Sequence, residues 1–386
     1  MKNYAFLLFC CLLFDACLTA QKTSTATVAP EIWVRKGYKL SIVQDGIMKP
    51  RQLQMSDAGV LFISLPDSGK IKACTDKDGD GYYETSQTFV KGYPNVHGMI
   101  WKDGWLWFAQ SGAIYKARDT NNDGVADEIV TIIPDGQLPK NGGHWWRSLL
   151  VNNGRIYTSM GCSGNIDDET ETERLKIWSF DLKGGDKKLF CGGLRNTEKL
   201  VVRPGTDEIW GMDHGSDNFG EIFEKGDAKG RKPITDLNPS CEMNHYVQDG
   251  FYGHPYIVGN RVPRYEYMKR PDILEWAAKT IPPAWSPGAH VAPNSMMFYN
   301  ADKIPGAKGD AFVAYHGSWN RSDKSGYNVT RVLFEDGKPY GEQTYVKFEK
   351  ADDIYGRPVD IVTDKNGDLL ISDDWGHKIY KLSLEK

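Results

Sequence analysis

Residues Gly59 to Cys74 read GVLFISLPDSGKIKAC: a turn glycine, a run of strand-forming residues, a Pro-Asp-Ser-Gly turn, and the start of a second strand. Alternating apolar and polar residues held between Gly and Asp turns mark a β-hairpin. The pattern returns as GWLWFAQSGAIYKARD from Gly104, GRIYTSMGCSGN from Gly154 and DEIWGMDHGSDN from Asp207. It returns again as DAFVAYHGSWNR from Asp310 and GDLLISDDWGHKIYKLS from Gly367. Most copies lie roughly 45 to 60 residues apart, the spacing of propeller blades rather than of a sandwich. The six copies predict an all-β protein, a six-bladed β-propeller. Between the fourth and fifth copies the gap widens to about 100 residues, read here as an insertion between blades at about 218–309. A short helix is expected there, in RPDILEWAAKT from Arg270, because a proline stands near its start. The segment WVRKGYKLSIV has strand character but no hairpin of its own, so a strand around Ile32 to Ile42 is expected to close the last blade.

The bulk numbers agree with this reading. The 40 glycines and 19 prolines suit many turns, and no Gly, Ser or Pro-rich linker divides the 386 residues, so 21–386 is expected to be a single domain. A formal net charge of -4 gives no basic stripe for nucleic acid. Lys2 is followed by AFLLFCCLLF, too short to span a bilayer and suited to the apolar region of a secretory leader. Small residues before Gln21 place cleavage after Ala20, so 1–20 is read as a signal peptide and the mature protein as periplasmic or secreted, with no stable membrane span. A rival is a lipid anchor through Cys17, for which Asp15 is a poor neighbour. Cleavage after Ala20 leaves Cys74, Cys162, Cys191 and Cys241, an even number that permits disulfides without establishing any. No Cys-x-x-Cys-His occurs, so electrons from any oxidation pass to an external acceptor, a quinone or a cytochrome.

Two turns carry the pattern of cation loops. DKDGDGYYE sets Asp76, Asp78 and Asp80 at alternate positions before Gly81, with Glu84 beyond; DTNNDGVADE repeats it with Asp119, Asn121, Asp123 and Asp127. Alternating oxygen donors before a glycine wrap a hard cation as in an EF-hand, although both loops lack its twelfth-position glutamate. They are read as structural calcium clips at blade edges. The plainer alternative is an Asp-rich β-turn without an ion.

Propellers bind ligands around the central channel, so candidate groups belong at matching places in successive repeats. His97, His144, Arg195, His290 and Arg357 each fall just before the strand that precedes a hairpin, and His316 and Arg321 follow the FVAY strand. A lone histidine is more often a satisfied structural residue than a catalyst. Five polar residues at equivalent places weigh against that, because unpaired polar groups around a channel are costly unless they serve one another or a ligand.

The ordered motifs GGHWWRSLLV, GGLRN, EIWGMDHGS, GFYGHP, GAHVAP, AYHGSWNR, GRPVDIV and LLISDD resemble the sorbosone dehydrogenase and soluble aldose sugar dehydrogenase family, six-bladed propellers that use pyrroloquinoline quinone (PQQ). The likeness runs from about Val34 to Leu384. It implies a dehydrogenase of an aldose, sorbosone or other small carbohydrate, dependent on PQQ and calcium. By the resemblance His144 is the general base, and Arg195 and Asn196 reach the quinone end. The main-chain oxygens of Gly215 and Ser216 seat a calcium ion, and Arg357 and Arg321 pair with cofactor carboxylates. His97 and Trp146 are expected beside the cofactor, Trp145 or Trp146 walling the pocket. A neutral imidazole with a pKa near neutrality would take the hydroxyl proton while hydride leaves the adjacent carbon. The chain departs from the family at Cys162, where an aspartate is usual near the substrate, at Val359, where a second arginine is usual, and at His214 and Ser216. Glucose is therefore not the expected substrate. Two other classes fit the same scaffold: a metal-dependent hydrolase, lactonase or glycan-processing enzyme, and a carbohydrate-binding propeller without activity.

Overall fold

The structure, a computed structural model, describes residues 28, 30–227 and 230–385. The expected leader and Cys17 lie outside the described residues. Six antiparallel sheets follow one another along the chain. Blade 1 holds Leu53–Met55, Leu61–Leu65, Lys70–Thr75 and Thr85–Lys91; blade 2 holds Met99–Lys102, Trp105–Ala109, Ile114–Arg118 and Glu128–Ile133. Blade 3 holds Leu150–Asn152, Arg155–Met160, Lys176–Asp181 and Lys188–Gly192; blade 4 holds Leu200–Val202, Ile209–Asp213, Ser240–Tyr246 and Trp285–Ala289. Blade 5 holds Pro293–Phe298, Ala311–Tyr315, Asn328–Glu335 and Lys338–Lys347; blade 6 holds Pro358–Thr363, Leu369–Asp373 and Lys378–Leu384.

The first strands of the blades touch one another in sequence and return from blade 6 to blade 1, which closes the ring around an axis. Six separate apolar cores lie one between each pair of neighbouring blades, that between blades 6 and 1 joining Leu370 and Ile379 to Leu53 and Ile63. This explains a departure from simple alternation. The second strands of blades 1, 4, 5 and 6 are buried at every position, because each is covered by a blade on both faces. Near-continuous runs such as LFISL and LLISD are the result.

The N-terminal segment divides between two blades. Tyr38–Asp45 pairs with Lys378–Leu384 and supplies the outer strand of blade 6, while Trp33–Val34 adds to the outer edge of blade 5. The 218–309 span is not one insertion between blades: it contains two strands of blade 4 and the first of blade 5. The extra chain is instead two excursions within blade 4, 214–239 and 247–284. The second carries Gly250–Phe251 up the outer edge of blade 3, parallel to Lys188–Gly192, and returns through the expected helix, Ile273–Lys279. All four cysteines are buried and free.

Because successive strands are antiparallel, connections into the first strands and between second and third strands emerge on one face of the ring. The other connections emerge on the opposite face. All the channel candidates fall on the first face. The 76–84 and 119–127 loops join third to fourth strands and lie on the second.

Candidate active site

An acid at the end of a second strand shapes the loops that carry Arg195 and Arg357. In blade 4 the buried Asp213 carboxylate accepts the main-chain N–H of Arg195 at 2.8 Å and of Asn196 at 2.6 Å, and the Thr197 hydroxyl at 3.1 Å. In blade 6 Asp373 accepts the N–H of Arg357 at 2.8 Å. A strand-end aspartate satisfies backbone donors that would otherwise be orphaned beside the channel, and so fixes where the arginine leaves the chain.

The Arg195 guanidinium then crosses toward blade 3. It donates to the Asn165 carbonyl (3.0 Å) and side chain (2.9 Å), to the Gly215 carbonyl (3.1 Å) and to Asp217 (3.0 Å). These four bonds leave one of its five N–H groups free of a protein acceptor. His144 lines the same cavity, together with His214, Gly215, Asp217, Cys241, His290, Ala292 and Trp319. Its Nδ1 stands 2.9 Å from the Cys162 carbonyl, which can only accept, so Nδ1 carries the proton and Nε2 is left as a bare lone pair. The Cys162 N–H donates in turn to the Arg195 carbonyl at 2.9 Å. The Cys162 backbone thus ties the base to the arginine, while its thiol is buried and pushed up to about 11 by that burial. Gly161 permits the approach: a Cβ there would stand 2.7 Å from the His144 Cβ and 2.8 Å from the Arg195 carbonyl.

Electrostatics correct one expectation. Burial, and then the neighbouring Arg195 guanidinium, hold the His144 imidazole down at about 3, not near neutrality. It is therefore neutral at any ordinary pH, with Nε2 unprotonated but a weaker base than an ordinary imidazole.

A second group gathers on the axis, and three of its members, Arg51, Glu198 and Asp374, were not among the sequence candidates. Arg51 of blade 1 donates to Glu198 of blade 4 at 2.6 Å and to Asp374 of blade 6 at 2.9 Å, and Asp374 meets His316 Nε2 of blade 5 at 2.9 Å. Asn196 donates to Glu198 at 3.2 Å. Trp146 of blade 3 lies under the Arg51 guanidinium, 4.3 Å from its ring, and against His97 of blade 2, with centroids 4.6 Å apart. His97 is wholly buried and does not line the cavity. Arg51 was open to recognition, since it precedes its inner strand as His144 and Arg195 do. Glu198 and Asp374 had no such signal.

Arg357 donates to the carbonyls of His316 (3.1 Å) and Gly317 (2.8 Å), and Arg321 to that of Ala289 at 3.4 Å. Among the described residues neither is within ion-pair distance of a carboxylate, and the buried Arg321 Nε has no partner. Arg321 lines a separate groove, together with Glu224, Asp227, Asp236 and Asp323. A flat tricarboxylate needs cations that are not already neutralised; Arg357 meets that requirement, whereas Arg321 has Asp236 within electrostatic reach. The Gly215–Ser216 turn fits calcium poorly. Of the two expected main-chain oxygens, that of Gly215 accepts from Arg195, and the buried Arg264 bonds the Ser216 hydroxyl beside the other, so a calcium ion there would stand against two guanidinium groups.

On the opposite face, ligand atoms of Asp76, Asp78, Asp80 and Glu84 converge within 4.8 Å of one another. Asp119, Asp123 and Asp127 do not form such a set, although the loop has the turn bonds of the first, Asp119 accepting the N–H of Asn122 and Gly124 as Asp76 accepts those of Gly79 and Gly81. Asn121 likewise accepts the Asp123 N–H.

Comparison with known proteins places this architecture. A calcium structure of a family AA12 carbohydrate-active enzyme from Trichoderma reesei superposes with a TM-score of 0.79 at 19% identity, covering 94% of this chain and 100% of that one. The holo form of the pyranose dehydrogenase PQQ domain from Coprinopsis cinerea gives 0.74 at 17% identity, covering 91% and 97%. An uncharacterized protein of Borreliella burgdorferi is 28% identical over 97% of both chains. These structural likenesses bear out the six-bladed propeller. The TrAA12-like family model matches residues 32–385, nearly everything the structure describes, and the chain belongs to that family.

Proposed function

We propose that the protein is an exported dehydrogenase that oxidises an aldose, sorbosone or related small carbohydrate, with PQQ as the hydride acceptor. The observation that carries this is the pairing of a bare imidazole Nε2 on His144 with the Arg195 guanidinium in one cavity. Family membership, and the PQQ domain among the structural neighbours, support the cofactor assignment.

In this reading a sugar hydroxyl donates to His144 Nε2, and the Cys162 carbonyl keeps the ring from turning. PQQ, when bound, would supply an ortho-quinone able to accept one hydride, that is two electrons with one hydrogen nucleus. As the C–H hydrogen departs as hydride, the O–H proton passes to His144, so the alcohol becomes a carbonyl and the charge balances. The free N–H of Arg195 offers a donor to developing negative charge. Arg357 would hold a cofactor carboxylate, where a desolvated charge-assisted bond is strong. No step is assigned to calcium at Gly215. The hydrolase alternative lacks support in the cavity: among the described residues, the one converging set of three or more metal-ligating side chains is on the opposite face.

Purified protein is mixed with PQQ, and dye reduction is followed over a panel of monosaccharides. PQQ-dependent reduction with an aldose or ketose is expected. Tight PQQ binding with no reduction by any sugar would refute the reading.

A further inference from the structure

Six large aromatic side chains are exposed among the described residues: Trp33, Phe223, Tyr265, Trp319, Tyr340 and Trp375. Folding normally hides such surface, and an exposed cluster marks a site of contact. Their placement is not even. Trp319 and Trp375 stand on the connections between second and third strands of blades 5 and 6, and Phe223 on that of blade 4. Tyr265 lies on the blade 4 excursion and meets Phe223 edge to face at 5.1 Å. Four of the six therefore ring the face that bears His144.

Trp319 is the informative member. It lines the cavity with His144 and Arg195, yet 71% of it is exposed. A single sugar ring seated at His144 Nε2 would cover only the inner side of that indole. Trp375, 60% exposed, adjoins Asp374, whose carboxylate is anchored on the axis by Arg51 and His316. A fixed backbone thus holds an indole outward on the same face. Polar groups lie next to these rings, with Asn320 bonded to Asn218 and Asp217 bonded to Arg195. Apolar platforms interleaved with amides and charges match the two surfaces of a pyranose, a C–H face and a rim of hydroxyls.

We propose that this rim is a set of glycan subsites, so that the enzyme acts on the terminal sugar of an oligosaccharide or polysaccharide. Trp319 stacks the ring at or next to the reacting one, and Trp375 a ring further out. The substrate assignment rests on the dehydrogenase reading; the binding surface itself does not.

The test uses binding without turnover. Affinities of the full-length protein for cello-, xylo-, manno- and chito-oligosaccharides of one to six units are measured by calorimetry. At least one series should tighten with length up to about three units. Trp319→Ala and Trp375→Ala should each lose roughly three- to tenfold of that gain, the worth of one aromatic contact. Tyr340→Ala, at the opposite end of the blade 5 outer strand, should not alter it. Both site-face tryptophans are largely exposed, so the variants should keep the wild-type melting temperature. Affinity independent of length in every series, or equal in the tryptophan variants, overturns the proposal. So does a loss seen only in electron transfer to a protein acceptor, which would make the rim a docking surface. Length-dependent binding without sugar oxidation would leave the rim standing and remove the dehydrogenase reading alone.

Discussion

Replacing His144 by alanine separates chemistry from packing. The side chain makes one hydrogen bond, Nδ1 to the Cys162 carbonyl at 2.9 Å, and the ring beneath Trp146 is His97 rather than His144. Loss of one such bond costs about 1 kcal/mol, which in a domain above 250 residues moves the melting temperature by roughly 2 °C or less. General-base catalysis is worth about 10²–10⁴-fold, or roughly 2.7–5.4 kcal/mol of barrier. The kinetic term therefore exceeds the structural one severalfold. His144→Ala is expected to fold, to bind PQQ with near-wild-type affinity, and to lose about 10²–10⁴ in single-turnover reduction of bound PQQ by sugar. The pH profile adds a second readout. With the imidazole held at about 3 by burial and Arg195, wild-type kcat/KM should show no acid limb near the ordinary histidine value. Stopped-flow reduction, thermal melts and PQQ titration on the same preparation decide the matter. Reduction at the wild-type rate, or a melt lowered by ten degrees or more with the rate intact, would refute the assignment of His144 as base.

Three further outcomes are expected. Glu198→Ala leaves Arg51 buried with half its counter-charge, both side chains being under a tenth exposed, and should cost about 3–5 kcal/mol in urea unfolding; a loss below 1 kcal/mol would show that Asp374 suffices. Burial raises Glu242 to about 8, above its unfolded value near 4.5, so its contribution is full below about 4.5 and is lost as pH rises through 8. Glu242→Gln should therefore gain stability relative to wild type between pH 5 and 8, read from urea midpoints at the two pH values. Calcium should raise the melting temperature through Asp76, Asp78, Asp80 and Glu84, and Asp78→Asn should weaken that rise with turnover unaltered, since this loop is on the face away from His144. Turnover that follows calcium occupancy of this loop would contradict that placement.

Much of the fold was open to sequence reading because it is local. A hairpin needs only its turn residues and its period, so GVLFISLPDSGKIKAC and its five relatives reported blade number and register directly. The short helix after Arg270 was equally local. The blade 4 region was misread for the complementary reason. Its third strand, Ser240–Tyr246, is divided from the second by the 214–239 excursion and from the fourth by 247–284, so no hairpin signature survives.

The sequence alone determined that polar side chains precede the inner strands in most repeats, including His144, Arg195 and Arg357, since that position is set by repeat register. Only the tertiary structure decided which of them meet. Arg51 and Glu198 are 147 residues apart in the chain, and Arg51 and Asp374 are 323 apart; closure of the ring makes them partners. Closure also separated His97, packed under Trp146, from His144, whose ring is turned by the Cys162 carbonyl into the Arg195 cavity. It put a guanidinium on the Gly215 carbonyl, where the motif had suggested a metal seat. A strand's period is a property of neighbouring residues. The company a charge keeps on the axis depends on six blades arriving there together, and no window of sequence contains that.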